Sequence, residues 1–157
     1  MDKVNSTSRL FSIKSKVLLI QTDTTVGFLS QDEAKLQAIK ERPSSKPFIQ
    51  VYKNFLTIKR TKIRVPSGQK KLIRRAKKTT FIVKNIAFRV ANDTLHSQLL
   101  RNITWNYSTS ANERSKNFNR VFCEEKTDII IEDKSSLFEG MSSKLYKINN
   151  TKKVRLR

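Results

Sequence analysis

The sequence predicts a mixed α/β (α+β) fold, a single domain over residues 1–157 with helices packed on an open mixed sheet. Three observations predict it. Short Val-, Ile- and Phe-rich runs alternate with segments whose apolar residues recur at helical spacing. A length of 157 residues suits one domain and buries a core without disulfides or metals. Hydrophobic residues make up 37% of the chain, nine of them Phe, enough for a core despite the heavy charge.

The first apolar run, Val17-Leu18-Leu19-Ile20, predicts a buried strand over 16–21. Residues 32–40 read as a short helix with Leu36 and Ile39 on one face. Residues 48–52 read as a strand. Pro66-Ser67 starts a basic helix over 67–76 that turns Leu72, Ile73 and Ala76 inward. Residues 79–84 and 87–90 read as strands of a hairpin around Lys84-Asn85. Asn92 or Asp93 caps a helix running to about Asn102, whose Leu95, Leu99 and Ile103 are spaced by four. Residues 104–107, 128–131, 144–148 and 153–156 complete the strands.

The formal net charge is +20, and its placement is lopsided. Residues 59–90 hold twelve Lys or Arg and no acid, and residues 144–157 hold six and no acid. Such a field attracts phosphate polyanions, RNA foremost, with salt-sensitive affinity. The one Cys cannot form an internal disulfide, which fits a reducing compartment. No apolar run approaches the roughly 18 residues of a membrane-spanning helix, and the N-terminus carries no apolar signal-peptide core. A cytoplasmic protein without membrane contact is expected.

Several chemistries find no residues. A Ser-His-Asp or Cys-His mechanism would rest on His96 alone, which reads as a surface or packing residue. Cys123 has no Cys or His at zinc-ligand spacing and reads as a small buried residue. The acid pairs at 32–33, 124–125 and 132–133 read as solvated. Only three glycines are present, so a glycine-rich phosphate loop is absent. Cations and hydroxyls remain, and they suit phosphate chemistry driven by positioning and charge stabilisation.

Three segments concentrate those groups. Lys40-Glu41-Arg42-Pro43-Ser44-Ser45-Lys46-Pro47 sets three cations beside two prolines whose rings fix φ, a stiff basic turn. Thr22-Asp23-Thr24-Thr25 follows the first strand at a usual ligand position in α/β sheets. Ser108-Thr109-Ser110-Ala111-Asn112 follows a second strand, read as ending at Tyr107. Thr80 and Arg89 lie on the strands between.

In order and spacing these segments resemble the YrdC-like family, which includes the threonylcarbamoyl-adenylate synthases. Gln21-Thr22-Asp23-Thr24-Thr25-Val26-Gly27-Phe28 stands where that family has Pro-Thr-Asp-Thr-x-Tyr-Gly-Leu. Residues 40–48 match Lys-x-Arg-Pro-x-x-Lys-Pro-Leu, and Thr109-Ser110-Ala111-Asn112 matches Thr-Ser-Ala-Asn in full. Phe88-Arg89-Val90-Ala91 stands for Val-Arg-Val-Pro. The family's Gly-Pro-x-Thr is here Lys77-Lys78-Thr79-Thr80, and its late Pro-Ser-Thr-Ile-Val-Asp is Ser142-Ser143-Lys144-Leu145-Tyr146-Lys147. The resemblance covers about residues 15–157.

The resemblance implies a YrdC-like twisted open sheet flanked by helices, and an enzyme that joins threonine, bicarbonate and ATP into threonylcarbamoyl-AMP and pyrophosphate for modification of a tRNA adenosine. It implies that Lys40, Arg42 and Lys46 face the ATP phosphates, with Thr80, Ser110 and Asn112 on the nucleotide and Ser143 a lesser contact. Thr22, Arg89 and Thr109 would hold threonine. Magnesium would arrive on the ATP, with no metal ligand from the protein and no catalytic acid or base. Other tRNA-modification proteins would use the product. The alternative is a non-catalytic protein of the same fold that binds double-stranded RNA or tRNA through the basic stretches 59–90 and 144–157.

Overall fold

The computed structural model describes residues 13–41, 43, 47–91 and 94–157. Nine strands form one mixed sheet: β1 (Leu18–Gln21), β2 (Val26–Ser30), β3 (Ile49–Tyr52), β4 (Thr79–Val83), β5 (Ile86–Val90), β6 (Trp105–Ser110), β7 (Ile129–Ile131), β8 (Lys144–Ile148) and β9 (Lys153–Arg155). Their order is β7-β1-β2-β6-β3-β5-β4-β8-β9. The β1–β7, β3–β5 and β4–β8 pairs are parallel and the rest antiparallel. The helices are α1 (Glu33–Lys40), α2 (Phe55–Lys59), α3 (Lys70–Arg75), α4 (Leu95–Ile103) and α5 (Arg120–Glu125), with a 3-10 turn at Ser67–Gln69 ahead of α3.

Register assigns the two faces, because side chains alternate along each strand. On one face Leu18, Ile20, Leu29 and Val51 pack against Leu95, Leu99, Leu100 and Ile103 of α4. On the other, Leu19, Phe28 and Cys123 gather around Leu36 of α1. Further along that second face Phe81, Phe88 and Tyr52 pack on Phe55 and Ile58 of α2 and Ile73 of α3. The four Phe in or next to strands, Phe28, Phe48, Phe81 and Phe88, are almost wholly buried. They supply much of the area that drives collapse.

Local chemistry starts and stops the helices. Asp32 caps α1 by accepting from the Ala34 and Lys35 amides, and Glu41 ends it in the left-handed region at φ 46°. The cap of α4 is Thr94, not Asn92 or Asp93: Thr94 and Ser97 bond each other's backbone as a capping box. Asn92 and Asp93 lie outside the described residues. The expected basic helix divides into the 3-10 turn and α3, both led by Pro66. The hairpin around Lys84-Asn85 is present, with Val83 opposite Ile86.

The sequence reading missed three elements. Strand β2 runs on directly from the Thr-rich turn, so Gly27 is a strand residue and not a loop residue. Helices α2 and α5 are only five and six residues long, too short for a periodicity to emerge. Each is held by an Asn cap, Asn54 and Asn119.

Candidate functional site

A cleft of about 480 Å³ opens on the α4 side of the sheet. Its floor is the Gly27–Ser110 pair of β2 and β6, with Ser108 beside it. A Cβ on Gly27 would lie 3.1 Å from the Thr109 carbonyl oxygen and 3.2 Å from Thr22 Cγ2. Glycine therefore keeps the floor open at the point where the two walls converge.

The first wall is the turn 22–25. Thr22 Oγ1 donates to the Thr25 carbonyl at 2.6 Å and accepts from the Thr24 and Thr25 amides at 3.2 and 3.3 Å. A hydroxyl bonding its own downstream backbone closes a turn without glycine. The Thr24 hydroxyl then accepts from Arg89 Nη1 at 2.9 Å. Arg89 Nη2 stands 3.3 Å from Asp23 Oδ1, and both side chains are 4% exposed. Neither Asp23 oxygen nor Arg89 Nε has a hydrogen-bond partner. Burial pushes the Asp23 carboxyl above the usual carboxylate range, and Arg89 partly draws it back. Arg89 lines the cleft, while Asp23 lines an adjoining cavity of about 500 Å³ that shares Thr22.

The second wall is Ser108 to Asn112. These hydroxyls do not follow a strand, as expected, but lie on one, because β6 continues to Ser110. The pleat directs Ser108 and Ser110 to the cleft face and pairs Thr109 with Phe28 on the other. Lys40, at the end of α1, is 7% exposed and reaches this wall from behind. Its Nζ donates to the Ser110 carbonyl at 3.1 Å, the Asn112 carbonyl at 2.6 Å and Asn112 Oδ1 at 2.8 Å. Ser110 Oγ also donates to Asn112 Oδ1, at 2.7 Å. The ammonium thus ties the Ser110–Asn112 turn into one unit.

The third wall is residues 139–143 with Arg157. Gly140 passes against the first wall: a Cβ there would collide with the Thr24 carbonyl oxygen, and the Gly140 amide donates to Thr25 Oγ1 at 3.0 Å. Thr80 is fully buried and shares a 2.8 Å hydrogen bond with Ser143 Oγ. Arg157 Nε donates to the Ser143 carbonyl at 3.2 Å.

Of the residues singled out from sequence, Thr22, Arg89, Ser110, Asn112 and Ser143 line the cleft, and Thr109 reaches it by its backbone, its side chain lying on the other face of the sheet. Lys40 and Thr80 stand behind it. Arg42 and Lys46 lie outside the described residues. The reading passed over Asp23, Ser108 and Arg157. The first two sat inside segments already noted, whereas Arg157 reaches the cleft only through β8–β9 pairing. His96 packs inside, fully buried, with Nε2 2.9 Å from Asn106 Oδ1. Cys123 is buried, and burial raises its thiol to about 11. Glu124 and Glu132 both grip Arg120 at the surface.

The described residues thus combine an open mixed sheet with a cleft of hydroxyls and cations and no glycine-rich loop. The chain belongs to the Sua5/YciO/YrdC family, described as telomere recombination, whose sequence pattern matches residues 13–157. Its fold is similar to that of P. abyssi Sua5 complexed with L-threonine, at 19% identity and TM-score 0.78, over 96% of this chain and 52% of that one. It is also similar to E. coli YciO, at 14% identity and TM-score 0.75, over 96% and 86%. A full-length HypF in a phosphate- and nucleotide-bound form gives 17% and 0.73, over 96% and 28%. The chain therefore spans about half the length of the Sua5 chain. No curated protein matches it. No helix among the described residues is long and apolar enough to cross a membrane.

Proposed function

We propose that the chain is an ATP-dependent L-threonylcarbamoyladenylate synthase serving tRNA threonylcarbamoyladenosine modification in the cytoplasm. The observation that carries this reading is the meeting of Thr22–Gly27 and Ser110–Asn112, more than eighty residues apart, across the Gly27–Ser110 pair, with buried Arg89 beside them. Membership of the family adds its weight.

In this reading threonine and bicarbonate condense to a carbamate with loss of water. A carbamate oxygen attacks the α-phosphorus of ATP, and pyrophosphate leaves. The carbamate is already a nucleophile, so the protein's task is to align two mutually repelling anions in a cleft that shields them from water. Arg89, held by Thr24 and Asp23, faces the threonine carboxylate. Thr22 and the Thr109 backbone shape its pocket, and the Ser110–Asn112 turn holds the nucleotide. Lys40 braces that turn, and Arg42 and Lys46 face the phosphates. Thr80 acts through Ser143, and Arg157 adds a cation on the far wall. Magnesium would arrive on the triphosphate and share its neutralisation. Proteins that transfer the threonylcarbamoyl group to tRNA are the expected partners.

The test is pyrophosphate release from ATP. Release that needs both threonine and bicarbonate supports the reading, and folded protein with no threonine-dependent release overturns it. The second reading, a double-stranded RNA or tRNA binder without the reaction, is favoured by Lys77-Lys78 where the family has Gly-Pro. RNA binding by a chain inactive in this assay would support it.

A further inference from the structure

The cavity beside the cleft, about 500 Å³ in volume and sharing Thr22 with it, has groups of three kinds. Asp23 is the acid. Its side chain is 4% exposed, and neither of its oxygens has a hydrogen-bond partner among the described residues. A carboxylate buried in that way calls for a donor. Arg89 Nη2 stands 3.3 Å from Oδ1, which leaves Oδ2 to an occupant of the cavity. The other acid of the lining, Asp133, is already taken: its Oδ1 accepts from the Ser135 amide and hydroxyl. The cations are Lys77 and Lys78, both exposed. They stand where the family has Gly-Pro. Lys78 is left-handed at φ 48°, a region that a proline ring cannot enter, and its carbonyl accepts from the Lys144 amide at 3.0 Å. Strain of this kind collects at ligand sites. Thr94 and Leu95, at the start of the nine-residue helix α4, add the positive end of its dipole. The apolar groups are Leu95 and Phe138, and Phe138 is 51% exposed. Its amide donates to Gln21 Oε1 at 3.0 Å, which fixes it at the cavity.

We propose that this cavity is a second ligand site, outside the cleft, for a free α-amino acid with an apolar side chain. The ammonium meets Asp23, the carboxylate meets Lys77, Lys78 and the start of α4, and the side chain lies against Leu95 and Phe138. A plain anion would face the buried carboxylate of Asp23, and a plain cation would face two lysines. A zwitterion gives each group its opposite, and such charge-assisted bonds are the strong ones. Few polar groups placed around an apolar patch are the usual make-up of a small-molecule pocket. The proposal does not depend on the adenylate reaction. It concerns a different cavity, and its two lysines belong to a turn in which this chain departs from the family's Gly-Pro.

The experiment titrates isotope-labelled protein with L-leucine, without ATP, threonine or bicarbonate, and follows the backbone amides by NMR. The amides of Lys77, Lys78, Leu95 and Phe138 should shift, and those of Gly27 and Ser110–Asn112 should not. Two further probes each lack one end: isocaproate has no ammonium and isoamylamine has no carboxylate. Each should bind about tenfold or more weakly than L-leucine, the loss expected for one hydrogen bond to a charged group. Lys77→Ala/Lys78→Gly removes both cations, and glycine keeps the left-handed backbone without strain. It should weaken L-leucine binding by a similar factor, with a charge-matched control, Arg101→Ala/Lys126→Ala, unchanged. Asp23→Asn should bring L-leucine down to the level of isocaproate. Thermal melts confirm that the variants fold, and the lysine pair tests the site even if Asp23→Asn does not. The proposal is overturned by the absence of a saturable shift, by shifts confined to the cleft amides, by equal losses in the two pairs, or by isocaproate binding as tightly as L-leucine. Binding that needs both charges and is lost only in the first pair supports it whether or not pyrophosphate is ever released.

Discussion

Lys40→Met separates two roles for the cation at the end of α1. A lysine that only faces ATP phosphates costs stability while the site is free of nucleotide, and replacing it with an apolar side chain of similar length is then neutral or stabilising. A lysine that braces the Ser110–Asn112 turn behaves in the opposite way. The structure gives Nζ three oxygen acceptors at 3.1, 2.6 and 2.8 Å, on a residue only 7% exposed. Three charge-assisted bonds do not add in full, because Ser110 is exposed and Asn112 half-buried, so their oxygens recover water. Counting one bond to a charged group gives a loss of about 1.5–3 kcal/mol. For a domain of this size that lowers Tm by about 3–10 °C. The assay is calorimetric unfolding of both proteins without nucleotide, followed by ATP titration of each. The bracing role predicts the drop in Tm together with weaker ATP stabilisation. An unchanged Tm without ATP would refute the reasoning.

Other outcomes follow from single contacts. Burial lowers the His96 imidazole to about 4 against an ordinary 6.5, so the unfolded chain takes up the proton first. Stability is then full above about pH 7 and falls as pH drops towards 4, by up to about 3 kcal/mol. Tm should decline over that range in the wild type and less in His96→Gln. Gly140→Ala pushes a Cβ against the Thr24 carbonyl. It should cost about 1–3 kcal/mol as overpacking and weaken threonine binding by calorimetry, because the 22–25 turn must move. Arg42→Ala removes phosphate charge and should cut pyrophosphate release about a hundredfold or more. A change of less than threefold would take Arg42 out of the phosphate site.

Much of the sheet was legible because its strands carry dense β-branched and aromatic runs. Residues 144–148 are a strand in sequence and structure alike, and the hairpin at Lys84-Asn85 needed only its two-residue turn. What escaped was short or depended on a distant partner. Strand β2 looked like the tail of a Thr-rich turn because Gly27 interrupts its apolar pattern. That glycine is explained only by Thr109 and Thr22, which crowd it in the fold. Helix α5 has six residues, too few to show a period.

The sequence by itself determined which groups this protein can offer: hydroxyls at 22–25 and 108–112, a basic turn at 40–47, and eighteen cations in two acid-free stretches. Those are properties of composition and order, and they survive any arrangement of the chain. The tertiary structure decided where each group points. It turned Lys40 onto the oxygens of Ser110 and Asn112, set Thr80 behind Ser143, buried Arg89 against Asp23 and brought Arg157 to the cleft. It also split the basic stretches between the faces, with Arg89 and Arg157 at the cleft and Lys144, Lys153 and Arg155 on the side that carries α3. The reason is register: side chains on a strand alternate between faces, so only the pairing of distant strands fixes which of them meet.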